Sequence, residues 1–165
     1  MEPVTNPVDP DVDLDVPAER REVRPSPWPV LAVISAGGVL GALARYGLQH
    51  AFPHRAEQFG FATFAVNAVG CLLIGVLMAL ITEVWPGRRL LRPFLGVGVL
   101  GGFTTFSTYV VDIQQAVAAG AARTALAYLA ATVVVALLAV WTGATLTARA
   151  LRRRPRPRRK AGATR

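Results

Sequence analysis

Residues 58–82 read QFGFATFAVNAVGCLLIGVLMALIT, twenty-five residues without a formal charge. A hydrocarbon core about 30 Å thick takes roughly 20 helical residues, so this stretch is long enough to cross a bilayer. Working outward, three further uncharged runs occupy residues 25–44, 93–111 and 124–148, with 20, 19 and 25 residues. The first opens with Pro25, Pro27 and Pro29, so its span is expected to begin near Val30 and to carry Arg45 towards its far end. The fold class this predicts is an all-α membrane protein of four transmembrane helices.

The rest of the composition agrees. Of 165 residues, 53% are hydrophobic and 17% charged, against roughly 25% charged in soluble domains. A soluble globular domain is excluded. Seven of the ten acids lie in residues 1–27, and nine of the eighteen bases lie in residues 149–165. The chain therefore divides into an acidic, proline-rich tail (1–28), a membrane domain (29–148) and a basic tail (149–165). Neither tail has enough apolar area to offset the entropy of ordering, so both are expected to be disordered. The N-terminus is acidic where a signal peptide would be basic and then apolar. Cys71, the single cysteine, has no partner within the chain and reads as a small apolar residue of the second span.

Four spans put the N-tail, the 83–92 loop and the C-tail on one side. Those segments carry fifteen Lys and Arg; the opposite side carries three, Arg45, Arg55 and Arg123. The positive-inside rule then predicts a multi-pass protein of the cell membrane with both termini cytoplasmic. The basic tail reads as a topology determinant touching anionic membrane lipid, and nucleic acid is not an expected partner.

Within the spans, Gly37/Gly41 and Gly98/Gly102 are small-xxx-small pairs that let helix backbones approach closely. The third span then runs Gly101-Gly102-Phe103-Thr104-Thr105-Phe106-Ser107-Thr108-Tyr109, two glycines and four hydroxyls near mid-membrane. One reading unwinds this stretch, which requires the freed peptide groups to be buried in protein or to line a polar cavity. The other keeps a continuous helix whose hydroxyls bond back to their own carbonyls. Asn67, midway along the second span, must pair its amide or offer it to something in transit. Phe106 and Tyr109 share a helix face, and their ring edges suit an anion. Tyr128 and Thr132, four apart, form a short polar stripe in the fourth span.

Absences narrow the chemistry. No Asp, Glu or Lys lies inside an uncharged run, which disfavours a small multidrug-type transporter with an intramembrane carboxylate. His50 and His54 read as solvated residues of the first loop, and Asp112 ends the third span, available to an unidentified arginine. No nucleophile–base pairing is visible, so the chain does not read as an enzyme.

Three strings, GGVLGALARYGLQ at 37–49, TFAVNAVGCLLIG at 63–75 and GVLGGFTTFSTYVVD at 98–112, resemble the Fluc/CrcB fluoride channels in content and order. The resemblance covers about residues 30–148. It implies a passive, fluoride-selective channel that lets fluoride leave the cytoplasm and lowers its toxicity. It also implies an antiparallel dimer with two ion pathways, a third helix broken at mid-membrane, and a structural Na+ at the dimer centre. Carried onto this sequence, the carbonyls of Gly101 and Thr104 would face the sodium. Asn67, Phe106, Tyr109, Tyr128 and Thr132 would line the fluoride pathway, with Ser107 and Thr108 nearby, and Arg45 would sit by a vestibule. Two departures stand out. Tyr109 occupies a position where the family usually has phenylalanine, and the charge bias predicts a fixed orientation where dual-topology channels have balanced loops. The expectation is therefore a heterodimer with a homologous second subunit of opposite orientation, in which one pathway is degenerate and Tyr109 belongs to the weaker one; a non-conducting subunit of such a heterodimer, and pairing with itself, are the alternatives. An assembly protein whose glycines and hydroxyls only pack helices is the remaining rival.

Overall fold

Prolines open two of the four spans. Pro29 lies in the first turn of α1 (Trp28–Ala51) and Pro93 in the first turn of α3 (Arg92–Leu100), where the missing N–H would have had no helical partner. The computed structural model describes residues 27–85 and 87–153; the acidic tail and most of the basic tail lie outside the described residues. All regular structure in the described residues is helical.

Helix α1 stops at Phe52, whose φ of −126° departs from the helix just ahead of Pro53. A loop leads to α2 (Phe61–Glu83), the most apolar span. The third crossing is made in two pieces. Its first piece, α3, is wound as a π-helix and runs into a single α-turn, Gly101–Phe103. The backbone then leaves the helix: Thr104 is extended, with φ −78° and ψ 157°. Helix α4 (Ser107–Ala118) completes the crossing. At its end the Ala121 N–H donates to Ala116 O at 2.9 Å and the Gly120 N–H to Val117 O at 3.0 Å. This double closure needs a left-handed residue, and Gly120 supplies it with φ +78°. Helix α5 (Ala122–Arg152) returns across the bundle and continues to Arg152, beyond the expected boundary at 148.

The four crossings contain 24, 23, 27 and 31 residues, each more than the roughly 20 that a bilayer requires. Large apolar side chains such as Leu40, Leu43, Leu137 and Leu138 are exposed on their outer faces. The protein is a multi-pass membrane protein.

Glycines set how closely the helices approach. A Cβ at Gly37 would lie 2.9 Å from Val99 N and 3.0 Å from the Gly98 Cα, and one at Gly98 would lie 2.9 Å from the Gly37 Cα. Gly41 and Gly102 make equally close approaches, to Val99 O and to Gly38 O. The two small-xxx-small pairs thus interlock α1 with α3. Gly75 and Gly143 do the same for α2 and α5, against Val140 O and Leu72 O.

One expectation needs correction. The glycines do not unwind the third span: Gly101 and Gly102 are helical, and the departure comes at Thr104–Thr105. Glycine is permissive of a break without requiring one, and Gly102 is needed for close packing on α1.

Candidate functional site

The helix leaves at Thr104 because three side chains take over hydrogen bonds that a continuous helix would make. Asn67 of α2 addresses both polar groups of one residue: its Oδ1 accepts from the Thr105 N–H at 2.8 Å, and its Nδ2 donates to Thr105 O at 2.9 Å. In an unbroken helix the Thr105 N–H would bond Gly101 O. The Thr105 hydroxyl in turn accepts from the Thr108 N–H at 3.2 Å and contacts the Thr108 hydroxyl at 3.1 Å and the Ser107 hydroxyl at 3.4 Å. It caps α4 and takes the donor that Thr104 O would have used. Arg45 Nε donates to Gly102 O at 3.2 Å, so this carbonyl also has a side-chain partner.

The consequence falls on Gly101 and Thr104. Among the described residues no hydrogen bond reaches either carbonyl oxygen, because their helical donors are engaged elsewhere. The Thr104 N–H and hydroxyl both turn back to Leu100 O, each at 3.0 Å, and its methyl packs on Gly70.

Beside the break lies an open groove of about 520 Å³ lined by Asn67, Gly101, Thr104, Thr105, Phe106 and Tyr109, with Thr132, Cys71 and the apolar faces of Val133, Ala136 and Leu137 completing it. Asn67 is 9% exposed, and its amide has a second N–H that no hydrogen bond among the described residues claims. Phe106 is 76% exposed and offers its ring at the surface.

The hydroxyls of the predicted pathway are less available than the sequence suggests. Tyr109 donates to Leu129 O at 2.9 Å, and Thr132 donates to Tyr128 O at 2.8 Å. Tyr109 thus presents ring rather than phenol to the groove. Tyr128, Ser107, Thr108 and Arg45 do not line it. Instead Tyr128 continues a line of rings: Phe106 and Tyr109 centroids lie 5.8 Å apart, Tyr109 and Tyr128 5.2 Å, and Tyr128 and Phe59 4.8 Å, the last two pairs edge to face.

At the far end of that line the Tyr128 hydroxyl donates to Asp112 Oδ2 at 3.2 Å, and His54 Nε2 lies 3.7 Å from Asp112 Oδ1. The expectation of an arginine partner for Asp112 is therefore corrected to tyrosine and histidine. His50 is also reassigned: it belongs to the last turn of α1, stacked on Tyr46, and His54 alone is the loop histidine with a partner. On the inner side of α2, Gln49 Nε2 donates to the buried Thr63 hydroxyl at 3.2 Å. Thr105 and Gln49 are polar residues that sequence reasoning left without roles, and Asp112 and His54 are residues it gave other surroundings. Only Thr105 had a local signal, its position three residues before Thr108, which suits a cap.

Chemically the site offers two kinds of group. The uncommitted carbonyls of Gly101 and Thr104 are hard oxygen ligands that suit a hard cation. The spare Asn67 N–H and the Phe106 ring edge suit an anion. Oxygen ligands and weak anion donors thus meet within one groove.

The chain matches the family model described as CrcB-like protein, Camphor Resistance (CrcB), over residues 32–144. It is 55% identical over 124 residues to the fluoride-specific ion channel FluC 2 of Streptomyces avermitilis, covering 75% of this chain and 78% of that protein. With the fluoride-specific ion channel FluC 1 of Streptomyces coelicolor it shares 56% over 124 residues, 75% of this chain and 80% of the relative. The fluoride-specific ion channel FluC 3 of Streptomyces avermitilis is 49% identical over 86 residues, 52% of this chain and 42% of that protein. The span matched takes in most of α1, all of α2 to α4 and most of α5, with the Asn67–Thr105 pair and the groove inside it, and this chain is a member of the Fluc/CrcB family.

Proposed function

We propose that this chain forms a fluoride-selective channel that lets fluoride pass out of the cytoplasm down its gradient. The observation that carries the reading is the Thr104–Thr105 break, whose polar groups open onto one groove with Asn67 and Phe106. Fluoride is small and tightly hydrated, so a selective path must replace its water by protein donors in succession, none so strong that the ion cannot leave. The spare Asn67 N–H and the edges of Phe106 and Tyr109 supply such contacts. Tyr109 stands in for phenylalanine without adding a free donor, because its phenol is spent on Leu129 O.

The groove is open on one side, which suits an antiparallel dimer whose second chain closes it. The carbonyls of Gly101 and Thr104 fit a structural Na+ at the dimer centre, since no hydrogen bond among the described residues claims either oxygen. A Na+ held by those carbonyls would supply a fixed positive charge. Arg45, held on Gly102 O, adds a cation near the break, consistent with a vestibule role. The bias of fifteen bases to three supports an orientation with both termini in the cytoplasm. A chain of fixed orientation forms an antiparallel dimer only with an oppositely inserted homologue. That Streptomyces avermitilis has both a FluC 2 and a FluC 3 among the similar proteins supports a paired second subunit.

The test is efflux from liposomes read with a fluoride electrode, with chloride as control. Purified chain reconstituted with its homologous partner is expected to release fluoride and retain chloride. Equal release of both ions, or of neither, sinks the reading; rapid release from this chain alone sinks the heterodimer. Phe106→Ile is expected to lower flux, and unchanged flux would favour a purely structural role for the ring.

A further inference from the structure

Away from the groove, the most concentrated polar chemistry lies where the α1–α2 loop meets the middle of α4 and the early turns of α5. Asp112 has a side chain only 9% exposed and is held from two sides, by the Tyr128 hydroxyl at 3.2 Å and by His54 Nε2 at 3.7 Å. A Cβ at Gly60 would lie 2.9 Å from Asp112 Oδ2 and 3.1 Å from the Tyr128 hydroxyl. The loop backbone is thus pressed against the same pair. Tyr128 meets Tyr109 edge to face at 5.2 Å, and Tyr109 lines the groove. Asp112 is therefore one ring removed from the candidate ion path, and His54 is the loop group that sets its charge.

We infer that His54 is a positioning residue that makes conduction pH-dependent: when protonated it pairs with Asp112 and cancels a negative charge beside the path. The inference rests on the channel reading above. Histidine is the side chain that ordinarily changes charge between about pH 5 and 8. With neutral His54, the Asp112 carboxylate is balanced only by a phenol and opposes an approaching anion. With the imidazolium, the 3.7 Å contact becomes an ion pair, which also ties the loop to α4. The other ionisable groups nearby leave that direction unchanged. Glu57 shares with His54 a cavity of about 690 Å³ whose α5 wall is Thr124. Arg55 is the next residue in the loop, Arg123 precedes Thr124, and His50 is stacked on Tyr46. Neither arginine is paired with Asp112 among the described residues.

The experiment is fluoride efflux from liposomes at equal pH on both sides, stepped from about pH 8 to about pH 6, for the wild-type pair and for three variants of this chain. Wild-type flux is expected to rise about twofold, the effect of one unit charge about 10 Å away in water. His54→Gln is expected to be flat at the low level, Asp112→Asn and His54→Lys flat at the high level. A His54→Gln channel, or a His54→Lys channel, that keeps the wild-type profile overturns the inference, so it does not hang on the folding of one variant. Wild-type flux that does not change with pH overturns it as well. Absence of fluoride flux in the wild type at every pH would instead overturn the channel reading, which separates the two failures.

Discussion

Asn67 and Thr105 are joined edge to edge: one carboxamide holds the N–H and the C=O of one peptide residue, at 2.8 and 2.9 Å, across 38 positions of sequence. The geometry mimics one rung of a β-ladder placed inside a helical bundle. It satisfies two backbone groups that the break exposes, at a depth where water is scarce.

Removing this pair is expensive. Asn67→Ala leaves the Thr105 N–H and C=O without partners, at about 1–3 kcal/mol for each unsatisfied buried group. A loss of about 2–6 kcal/mol in unfolding free energy is expected in detergent. Asn67→Asp keeps the acceptor for the N–H but buries a charge and sets an oxygen against the Thr105 C=O, so its loss should be at least as large, and fluoride flux falls as far. Equal stability of wild type and Asn67→Ala would show that the pairing contributes nothing.

Thr105→Val keeps the shape and removes the hydroxyl that caps α4. The Thr108 N–H then reverts to Thr104 O or goes unpaired. A cap is typically worth about 1 kcal/mol, and that destabilisation is expected. Capture of Thr104 O by the Thr108 N–H should also weaken any cation site there, seen as a loss of Na+ dependence in flux or thermal stability. Thr105→Ser, which retains the hydroxyl, is expected to behave as wild type in both measurements.

Much of this fold was legible because charge is so rare in it. Arg24 and Arg45, Glu57 and Glu83, Arg92 and Asp112, Arg123 and Arg149 bracket the four apolar runs, and one helical crossing falls on each, the first, third and last overrunning to Ala51, Ala118 and Arg152. The interlocked Gly37/Gly41 and Gly98/Gly102 pairs were legible too, since close helix packing leaves a local four-residue signature. The position of the break was not. Propensity points to Gly101–Gly102, yet those residues stay helical against α1 while Asn67, far away in sequence, competes for the peptide groups of Thr105. A tertiary hydrogen bond decided where the helix opens, and propensity is too weak to oppose it. The Asp112–Tyr128–His54 cluster was hidden for the same reason: its three members come from three separate segments. Grouping by resemblance placed Tyr128 with the pathway, whereas its hydroxyl turns to Asp112.

Two glycines of α1 provide an internal contrast for packing. A Cβ at Gly41 would run into the Val99 carbonyl and lie 2.7 Å from Phe103 N, both backbone atoms that cannot swing aside. Gly41→Ala must push α1 off α3, and a loss of about 1–3 kcal/mol is expected. Gly47 has nothing within 4 Å of its would-be Cβ and a helical backbone. Gly47→Ala is expected to gain about 0.4–1 kcal/mol by restricting the unfolded chain. Thermal unfolding of the two variants in one detergent should move in opposite directions; a common direction would mean that α1 and α3 do not meet through these glycines.

Tyr109 tests whether the phenol contributes to ion passage. Its hydroxyl donates to Leu129 O at 2.9 Å and its ring is buried between Phe106 and Tyr128. Tyr109→Phe removes one hydrogen bond to a carbonyl in helix α5, at about 0.5–1.5 kcal/mol, and leaves both ring contacts in place. Fluoride flux is expected to stay within about twofold of wild type, since that loss falls on packing and not on a group facing the ion. Tyr109→Ala removes the ring that links the groove to Tyr128 and is expected to abolish most flux. If Tyr109→Phe instead raised flux many-fold, the hydroxyl would have to swing away from Leu129 into the path, and the tyrosine would be the element that weakens this chain's own pathway.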